Sequence, residues 1–260
     1  MKKTALLLAL LASNAFAQRI VVLTPDTAEI VAKLGAANEV VGIHEYNHLP
    51  EYTQTPTIGF FRTLSPEPIV SKKPDLVLGS FVATPNTIFQ NLKQSGVRAE
   101  NVNPTETLAE YTASINRIGA LIGKQAQASE LTKQFQAAIK QQPATGKRYL
   151  LSYDGRYVSG RGTVGDTLIK LAGGINAADS VQGLKPLSRE AWLAAKPDVI
   201  IIAKHNEAML GGASKLAARP ELSGSPAAKN GKIVFWTGDH FLRYSLHTPE
   251  SIKQLNQLAK

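Results

Sequence analysis

An internal duplication restricts the fold of this 260-residue chain more than any other feature. Segments 64–78 and 187–201 align at a constant offset, with Leu, Ser, Glu, Lys, Pro and Asp in identical positions. In both copies an apolar run rich in branched residues follows the Asp. A repeat of this length in the two halves of a chain predicts two similar structural units.

Each copy predicts a short helix followed by a buried strand. Ser65 and Ser188 are good N-cap residues, whose hydroxyls can accept hydrogen bonds from the first free helical amides. Pro74 and Pro197 disfavour helix in the residue before them, so each helix should end at the preceding lysine. The apolar run after each Asp is typical of a strand buried on both faces.

The repeat also places Glu67 and Glu190 at the same position in the first turn of each helix. The positive end of the helix dipole stabilises a carboxylate there, and this explanation is sufficient for either residue alone. Helix dipoles do not require the acid at the same position in both copies. The symmetry therefore also fits a partner that contacts both units.

Strands alternate with helices along the rest of the chain, which indicates an α/β fold with mostly parallel sheets. Predicted strands cover 19–23, 40–43, 97–102, 149–153 and 232–236, and predicted helices cover 27–34, 85–95 and 248–260. Residues 108–142 have a long helical pattern, interrupted only near Gly123, and predict one long helix or two collinear helices. We therefore expect an N-terminal lobe at 18–107, a linking helix at 108–142 and a C-terminal lobe at 143–260.

The first 17 residues have the pattern of a secretory signal peptide. Two lysines precede an apolar run, and Ala15-Phe16-Ala17 has the small-x-small form of a cleavage site. The apolar run is too short to span a membrane. The chain contains no Cys, which excludes a lipid-modified cysteine after the cleavage point. We expect a periplasmic protein that is not anchored to the membrane.

The charge of the chain is clearly basic, and it stays so after removal of the leader. The formal net charge is +9, and loss of Lys2 and Lys3 lowers it to +7. Basic exported proteins meet acidic ligands, anionic surfaces or nucleic acid. No run of Lys and Arg and no basic-aromatic array supports a nucleic-acid partner.

Residues 160–165 match the dinucleotide pattern G-x-G-x-x-G before a predicted helix. The strand before this loop is short, so we interpret it as a glycine-rich loop that lines a cleft and offers amides to an anionic group. The chain has no G-x-S-x-G or H-E-x-x-H motif, and no nucleophile, base and metal cluster is evident. An exported α/β enzyme is therefore only an alternative class.

Together, these features resemble the periplasmic heme-binding proteins of ABC importers, within the wider class that binds cobalamin and ferric siderophores. The resemblance rests on the signal peptide, the duplicated L-S-x-E…K-P-D element, the linking helix and the G-R-x-T…L-A-G-G-x-N-A run at 160–177. It implies two Rossmann-like lobes joined by a long α-helix, with the ligand in the cleft between them. It also implies a monomeric, non-enzymatic carrier that docks on an ABC permease dimer through Glu67 and Glu190, with heme as transported ligand rather than catalytic cofactor.

One position departs from the heme-binding pattern. Where that family has a Tyr whose phenolate ligates iron, this chain has Phe60, followed by the supporting Arg62. The replacement ligands considered are Tyr46, His48, His240 and Tyr244, of which we predict His240, because neutral imidazole is a normal axial ligand. If Phe60 instead marks a change of cargo, the ligand is a ferric siderophore or a corrinoid.

The resemblance also suggests which side chains would hold the rest of a heme. Arginine pairs bidentately with carboxylates, so Arg62, Arg156 and Arg161 are predicted partners of the propionates. Aromatic rings provide large apolar surface for a flat macrocycle, so Phe60, Phe61 and Phe81 are predicted to form the wall.

Overall fold

The computed structural model describes residues 18–259, so the predicted signal peptide lies outside the described residues. The N-terminal lobe contains one sheet of four parallel strands in the order β2-β1-β3-β4. Its strands are β1 (Ile20–Val22), β2 (Val40–Ile43), β3 (Leu76–Ser80) and β4 (Ala99–Asn103). Its helices are α1 (Pro25–Lys33), α2 (Pro66–Val70) and α3 (Ile88–Gln94), with short 3-10 turns at Ala37–Glu39 and Pro50–Tyr52.

The C-terminal lobe contains a sheet in the order β10-β9-β5-β6-β8, with β7 paired to the start of β5. Its strands are β5 (Arg148–Ser152), β6 (Tyr157–Ser159), β7 (Ile175–Asn176), β8 (Leu184–Pro186), β9 (Val199–Ala203) and β10 (Ile233–Trp236). Its helices are α6 (Val164–Leu171), α7 (Arg189–Ala195), α8 (Glu207–Leu210), α9 (Gly212–Ala217), α10 (Pro226–Lys229) and α11 (Thr248–Leu258). Short 3-10 turns lie at Lys204–Asn206 and Gly238–His240. The predicted two-lobe α/β class is confirmed.

The segment between the lobes differs from the prediction. It forms two helices, α4 (Leu108–Leu121) and α5 (Gln125–Ala138), which pack against each other as an antiparallel hairpin. The rings of Tyr111 and Phe135, at the open end of the hairpin, are 5.5 Å apart. Gly123 turns the chain with φ of +70°. The prediction of one long helix or two collinear helices is therefore wrong, and α5 alone leads into the C-terminal lobe.

The duplicated segments have the same structure in both lobes. Asp75 Oδ2 accepts a hydrogen bond from the Arg19 amide at 2.9 Å, and Asp198 Oδ2 accepts one from the Arg148 amide at 2.8 Å. The lysine before each proline has a positive φ, 49° in the first copy and 40° in the second. Non-glycine residues rarely adopt this conformation, so its recurrence supports a common structural origin of the two segments.

The N-caps of the two repeat helices differ. Ser188 Oγ accepts a hydrogen bond from the Ala191 amide at 3.2 Å, as predicted. Ser65 makes no side-chain cap hydrogen bond, so the prediction is wrong for the first copy. The reason is that Pro68 occupies the third helical position, where the donor amide would be, and proline has no N–H group.

The apolar core is shared between the lobes. Successive residues of a strand point to opposite faces, and Val21 accordingly joins an apolar cluster confined to the N-terminal lobe, whereas Ile20 and Val22 join a larger cluster. The larger cluster also contains Tyr149 and Leu151 of β5, so it extends through both lobes. Within residues 18–259, no helix is both long enough and apolar enough to cross a membrane.

Candidate functional site

Two adjoining cavities lie in the cleft between the lobes. The glycine-loop cavity, of about 470 Å³, is lined by the start of α6 and by β6 residues. The aromatic cavity, of about 330 Å³, is lined by Phe60 and Phe61. Both volumes fall in or near the range of ligand sites. The two cavities share four lining residues, Arg62, Glu106, Tyr153 and Leu242, and so form one continuous cleft.

The wall of the aromatic cavity comes from the segment just before the first repeat. Gly59 has φ of +102°, a conformation that favours glycine, and it turns the chain so that the next residues face the cleft. The Phe60 and Phe61 rings are 4.7 Å apart, and the Arg62 guanidinium carbon lies 5.3 Å from the Phe61 ring centre. The structure thus brings together four predicted site residues in this cavity, these three and Tyr46.

Arg62 and Glu106 give the cleft a polar pair between apolar walls. Partial burial raises the pKa of the Glu106 carboxyl, and the nearby Arg62 guanidinium opposes that rise. Both side chains line the two larger cavities and remain partly accessible to solvent. An arginine in this position can pair with a carboxylate of a bound ligand and still be close to an internal acid.

The glycine-rich loop is held by its own side chains. Thr163 Oγ1 accepts a hydrogen bond from the Asp166 amide at 3.2 Å, and Asp166 Oδ2 accepts one from the Gly162 amide at 3.1 Å. A Cβ atom at Gly165 would lie 2.6 Å from Ser159 Cβ, so the close approach of α6 to β6 requires glycine. The loop lines a cavity, as expected. The Gly162 amide, however, already donates its hydrogen bond to the Asp166 carboxylate instead of offering it to an anionic ligand.

A third, smaller cavity of about 170 Å³ borders the aromatic cavity and is lined by four histidines. We call it the histidine cavity, with His44 and His48 from the N-terminal lobe and His240 and His247 from the C-terminal lobe. The His240 and His247 rings stack with centres 3.8 Å apart. His44 is buried, and neither of its ring nitrogens has a hydrogen-bond partner among the described residues. Burial, followed by the charge of Arg243, lowers the pKa of His44 to about 3.

The remaining predicted ligand residues lie apart from the main cleft. His240 lines the histidine cavity but neither larger cavity, and Tyr244 is buried. Arg156 and Arg161 are exposed and line none of the three cavities. Phe81 is half-buried and precedes Val82, which lines the aromatic cavity, but Phe81 itself does not line that cavity. In the part of the chain that the structure describes, no group of three or more His, Cys, Asp or Glu side chains is arranged to hold a metal ion.

The structure adds residues that sequence analysis missed. Tyr153 directly follows β5 and lines both larger cavities, and His205 comes shortly after β9 and lines the aromatic cavity. Their ring centres are 5.2 Å apart. Ligands of open α/β sheets bind outside the carboxyl ends of the strands, and this rule could have identified both residues.

Glu67 and Glu190 are both exposed in the first turns of α2 and α7, as the sequence predicts. A hydrogen bond from its own backbone amide, followed by one from the Ser188 hydroxyl, lowers the pKa of Glu190. Each lobe therefore presents one solvent-accessible acid on the corresponding helix of its repeat.

Known proteins of similar structure and sequence include binding proteins. The structure of the periplasmic heme-binding protein RhuT from Roseiflexus sp. RS-1, in its apo form, superposes with a TM-score of 0.84 at 30% identity. It covers 94% of this chain and 100% of that one. A vitamin B12-binding protein of Yersinia pestis (strain Pestoides F) is 25% identical over 198 residues, which are 72% of this chain and 69% of that protein.

A third relative is an uncharacterized ABC transporter substrate-binding lipoprotein, YvrC of Bacillus subtilis (strain 168). It is 28% identical over 201 residues, which are 71% of this chain. The match spans 63% of the length of the Bacillus protein. A family model described as periplasmic binding protein matches residues 20–240. This match covers most of the chain and both lobes, and the chain therefore belongs to the periplasmic binding protein family.

Proposed function

We propose that this protein captures heme in the periplasm and delivers it to an ABC importer of the inner membrane. The observation that carries the proposal is the likeness, along almost the whole chain, to a protein described as a periplasmic heme-binding protein. The chain would act as a monomeric carrier without catalytic activity, free in the periplasm after removal of residues 1–17.

The cleft has the chemistry that a heme requires. A porphyrin is a flat apolar ring with two propionate carboxylates, so it needs an apolar wall and a cationic partner. Phe60 from the N-terminal lobe and Leu242 from the C-terminal lobe both contribute apolar surface to the aromatic cavity. Arg62 lines both cavities and is available for a propionate. Arg156 and Arg161 line none of the three cavities described above, so neither is placed to bind a propionate in the cleft.

A corrinoid or a ferric siderophore is the second candidate cargo. Two observations favour it: Phe60 cannot coordinate iron, and a relative of 25% identity is described as a vitamin B12-binding protein. Neither alternative cargo needs an axial ligand from the protein. The distinction therefore depends on whether the cleft contributes a ligand to iron.

The first experiment is an absorption titration of the purified protein with hemin, followed by cyanocobalamin and a ferric hydroxamate siderophore. A saturable one-to-one shift of the Soret band, with no comparable binding of the other two, supports the heme proposal. His240→Ala and Tyr46→Phe are titrated in parallel, because both residues are candidate iron ligands. Saturable binding of cyanocobalamin or siderophore without any Soret shift would transfer the proposal to that cargo.

We further propose that Glu67 and Glu190 dock the carrier on the permease. Their exposure on equivalent helices of the two lobes suits a partner with one basic site for each lobe. Charge reversal at both positions, Glu67→Arg with Glu190→Arg, should abolish heme uptake by cells and leave hemin binding by the purified protein unchanged.

The matched control for docking is a charge reversal elsewhere on the surface. Glu51 and Glu130 are also exposed, and replacing both with Arg changes the net charge by the same amount. The control variant should retain uptake, because only a surface that faces the permease is sensitive to the sign of its charge. Normal uptake by the variant with both docking acids reversed would disprove the docking assignment.

A further inference from the structure

The position of Tyr153 points to an iron ligand from the lobe opposite Phe60. Tyr153 follows the carboxyl end of β5 and is 41% exposed, although it lines the junction of the two larger cavities. A large aromatic side chain with this exposure on a cavity wall is accessible to a ligand that enters the cleft. Tyrosine is an established protein ligand of heme iron.

Three Tyr or His side chains, the residue types that ligate heme iron through a phenolate or an imidazole, line the aromatic cavity, namely Tyr46, Tyr153 and His205. Tyr46 is the least suitable, because it lies where the aromatic cavity borders the histidine cavity and does not line the glycine-loop cavity. Its ring is also held in edge contact with His48, with centres 4.8 Å apart. Tyr153 and His205 come from the C-terminal lobe, and of these three side chains only Tyr153 lines both larger cavities.

Two contacts hold Tyr153 in place. The Asn206 side-chain amide donates a hydrogen bond to the Tyr153 carbonyl at 2.7 Å, which ties the end of β5 to the turn after β9. The His205 ring, from the same turn, packs against the Tyr153 ring at an angle of 57°. Arg62, from the other lobe, lines the same two cavities as Tyr153.

On the basis of the proposed heme function, we propose that Tyr153 supplies the axial ligand to the ferric iron, with His205 as the residue that positions its ring. The exchange of ligands is balanced without a redox step. The iron–hydroxide bond of hemin breaks, the phenolic proton joins the hydroxide as water, and the phenolate oxygen forms the new bond to iron.

Resonance Raman spectroscopy of the hemin complex tests this assignment, because an iron-bound phenolate gives ring vibrations that free tyrosine does not. The wild-type complex should show them. Tyr153→Phe should lose them, with a fall in hemin affinity on the order of 100-fold, whereas Tyr157→Phe is the matched control and should keep them. Tyr157 lines only the glycine-loop cavity. Tyr46→Phe should also keep them.

His205 is tested by two substitutions with different expectations. His205→Phe retains a ring against Tyr153 and should retain the phenolate vibrations. His205→Ala removes the contact and should weaken hemin binding by roughly tenfold, with broadened phenolate bands. A complex whose spectrum changes from imidazole to water ligation in both His205 variants would make His205 the ligand and overturn the proposal.

Failure of this inference can be told apart from failure of the proposed function. Hemin binding with phenolate vibrations that persist in Tyr153→Phe, or with none in the wild type, overturns the ligand assignment and leaves the heme carrier intact. No saturable hemin binding by the wild type overturns both. Circular dichroism melts of Tyr153→Phe verify its fold, and Tyr153→His, which replaces phenolate by imidazole, should convert the spectrum to imidazole ligation.

Discussion

The helical hairpin between the lobes predicts whether a substitution at Gly119 raises or lowers the free energy of unfolding. This residue lies inside α4, and a Cβ atom there would be 2.2 Å from Ala128 Cβ of α5 and 3.1 Å from the Lys124 carbonyl oxygen. Overpacking of this kind costs about 1–3 kcal/mol. Alanine in place of glycine inside a helix stabilises it by about 1 kcal/mol. We expect Gly119→Ala to lower the free energy of unfolding by up to about 2 kcal/mol.

The assay is urea unfolding followed by circular dichroism, with thermal melts as a second measurement. For a chain of this size, 1 kcal/mol corresponds to a change in Tm of about 2–4 °C. Ala128→Gly should relieve the clash when it is combined with Gly119→Ala, so the double-mutant cycle should give a coupling energy of about 1–3 kcal/mol. Ala120→Gly, at an exposed neighbouring site of α4, measures the helix propensity alone.

Collinear helices would give the opposite result. Without α5 beside it, position 119 would have room for a methyl group, and Gly119→Ala would raise the free energy of unfolding by about 1 kcal/mol. A Gly119→Ala variant with a raised free energy of unfolding, and no coupling energy with Ala128→Gly, would therefore refute the packing of α4 against α5.

Two further predictions concern charge. Arg62→Ala should weaken hemin binding by roughly 10–100-fold, the equivalent of one or two charge-assisted hydrogen bonds, whereas Arg156→Ala should leave the affinity from absorption titration unchanged. Burial raises the pKa of Glu29 from 4.5 to about 8, against hydrogen bonds from the Tyr111 hydroxyl and the Leu246 amide. The folded state therefore holds a proton that the unfolded state loses above its pKa of 4.5. The free energy of unfolding should fall as pH rises from about 4.5 to about 8 and level off above that, so urea unfolding between pH 5 and 8 should show a decline that Glu29→Gln lacks.

The duplication made the two-lobe fold predictable. The features that could not be predicted depend on contacts between residues that are distant in the chain. Helix, stop and buried strand follow from local chemistry in each copy, and both copies form them, although in the first copy Ser65 does not cap the helix and the helix ends at Val70, before Lys73. The pattern of apolar residues over 108–142 indicates helix, but it does not determine which part of the protein each helix face packs against. The chain reverses direction at Gly123, so that Gly119 packs against Ala128, and Gly123 was the one local indication of this reversal.

The candidate site was predictable where a motif ran continuously along the chain. Phe60, Phe61 and Arg62 follow one another, and all three line the aromatic cavity. His240 was predicted from its place in a loop at a strand end, but several loops meet at that edge, and sequence does not state which loop faces which cavity. Tyr153 lies at such an edge too, and it lacked a motif to distinguish it from other tyrosines.

The shared apolar core has a consequence for transport. Because Ile20 and Val22 of one lobe and Tyr149 and Leu151 of the other belong to the same buried cluster, wide separation of the lobes would expose it to water. Empty and loaded carrier should therefore have nearly the same outline, with Glu67 and Glu190 at a nearly constant separation. Empty carrier should then compete with loaded carrier for the permease, and net import would depend on the fraction of carrier molecules that are loaded.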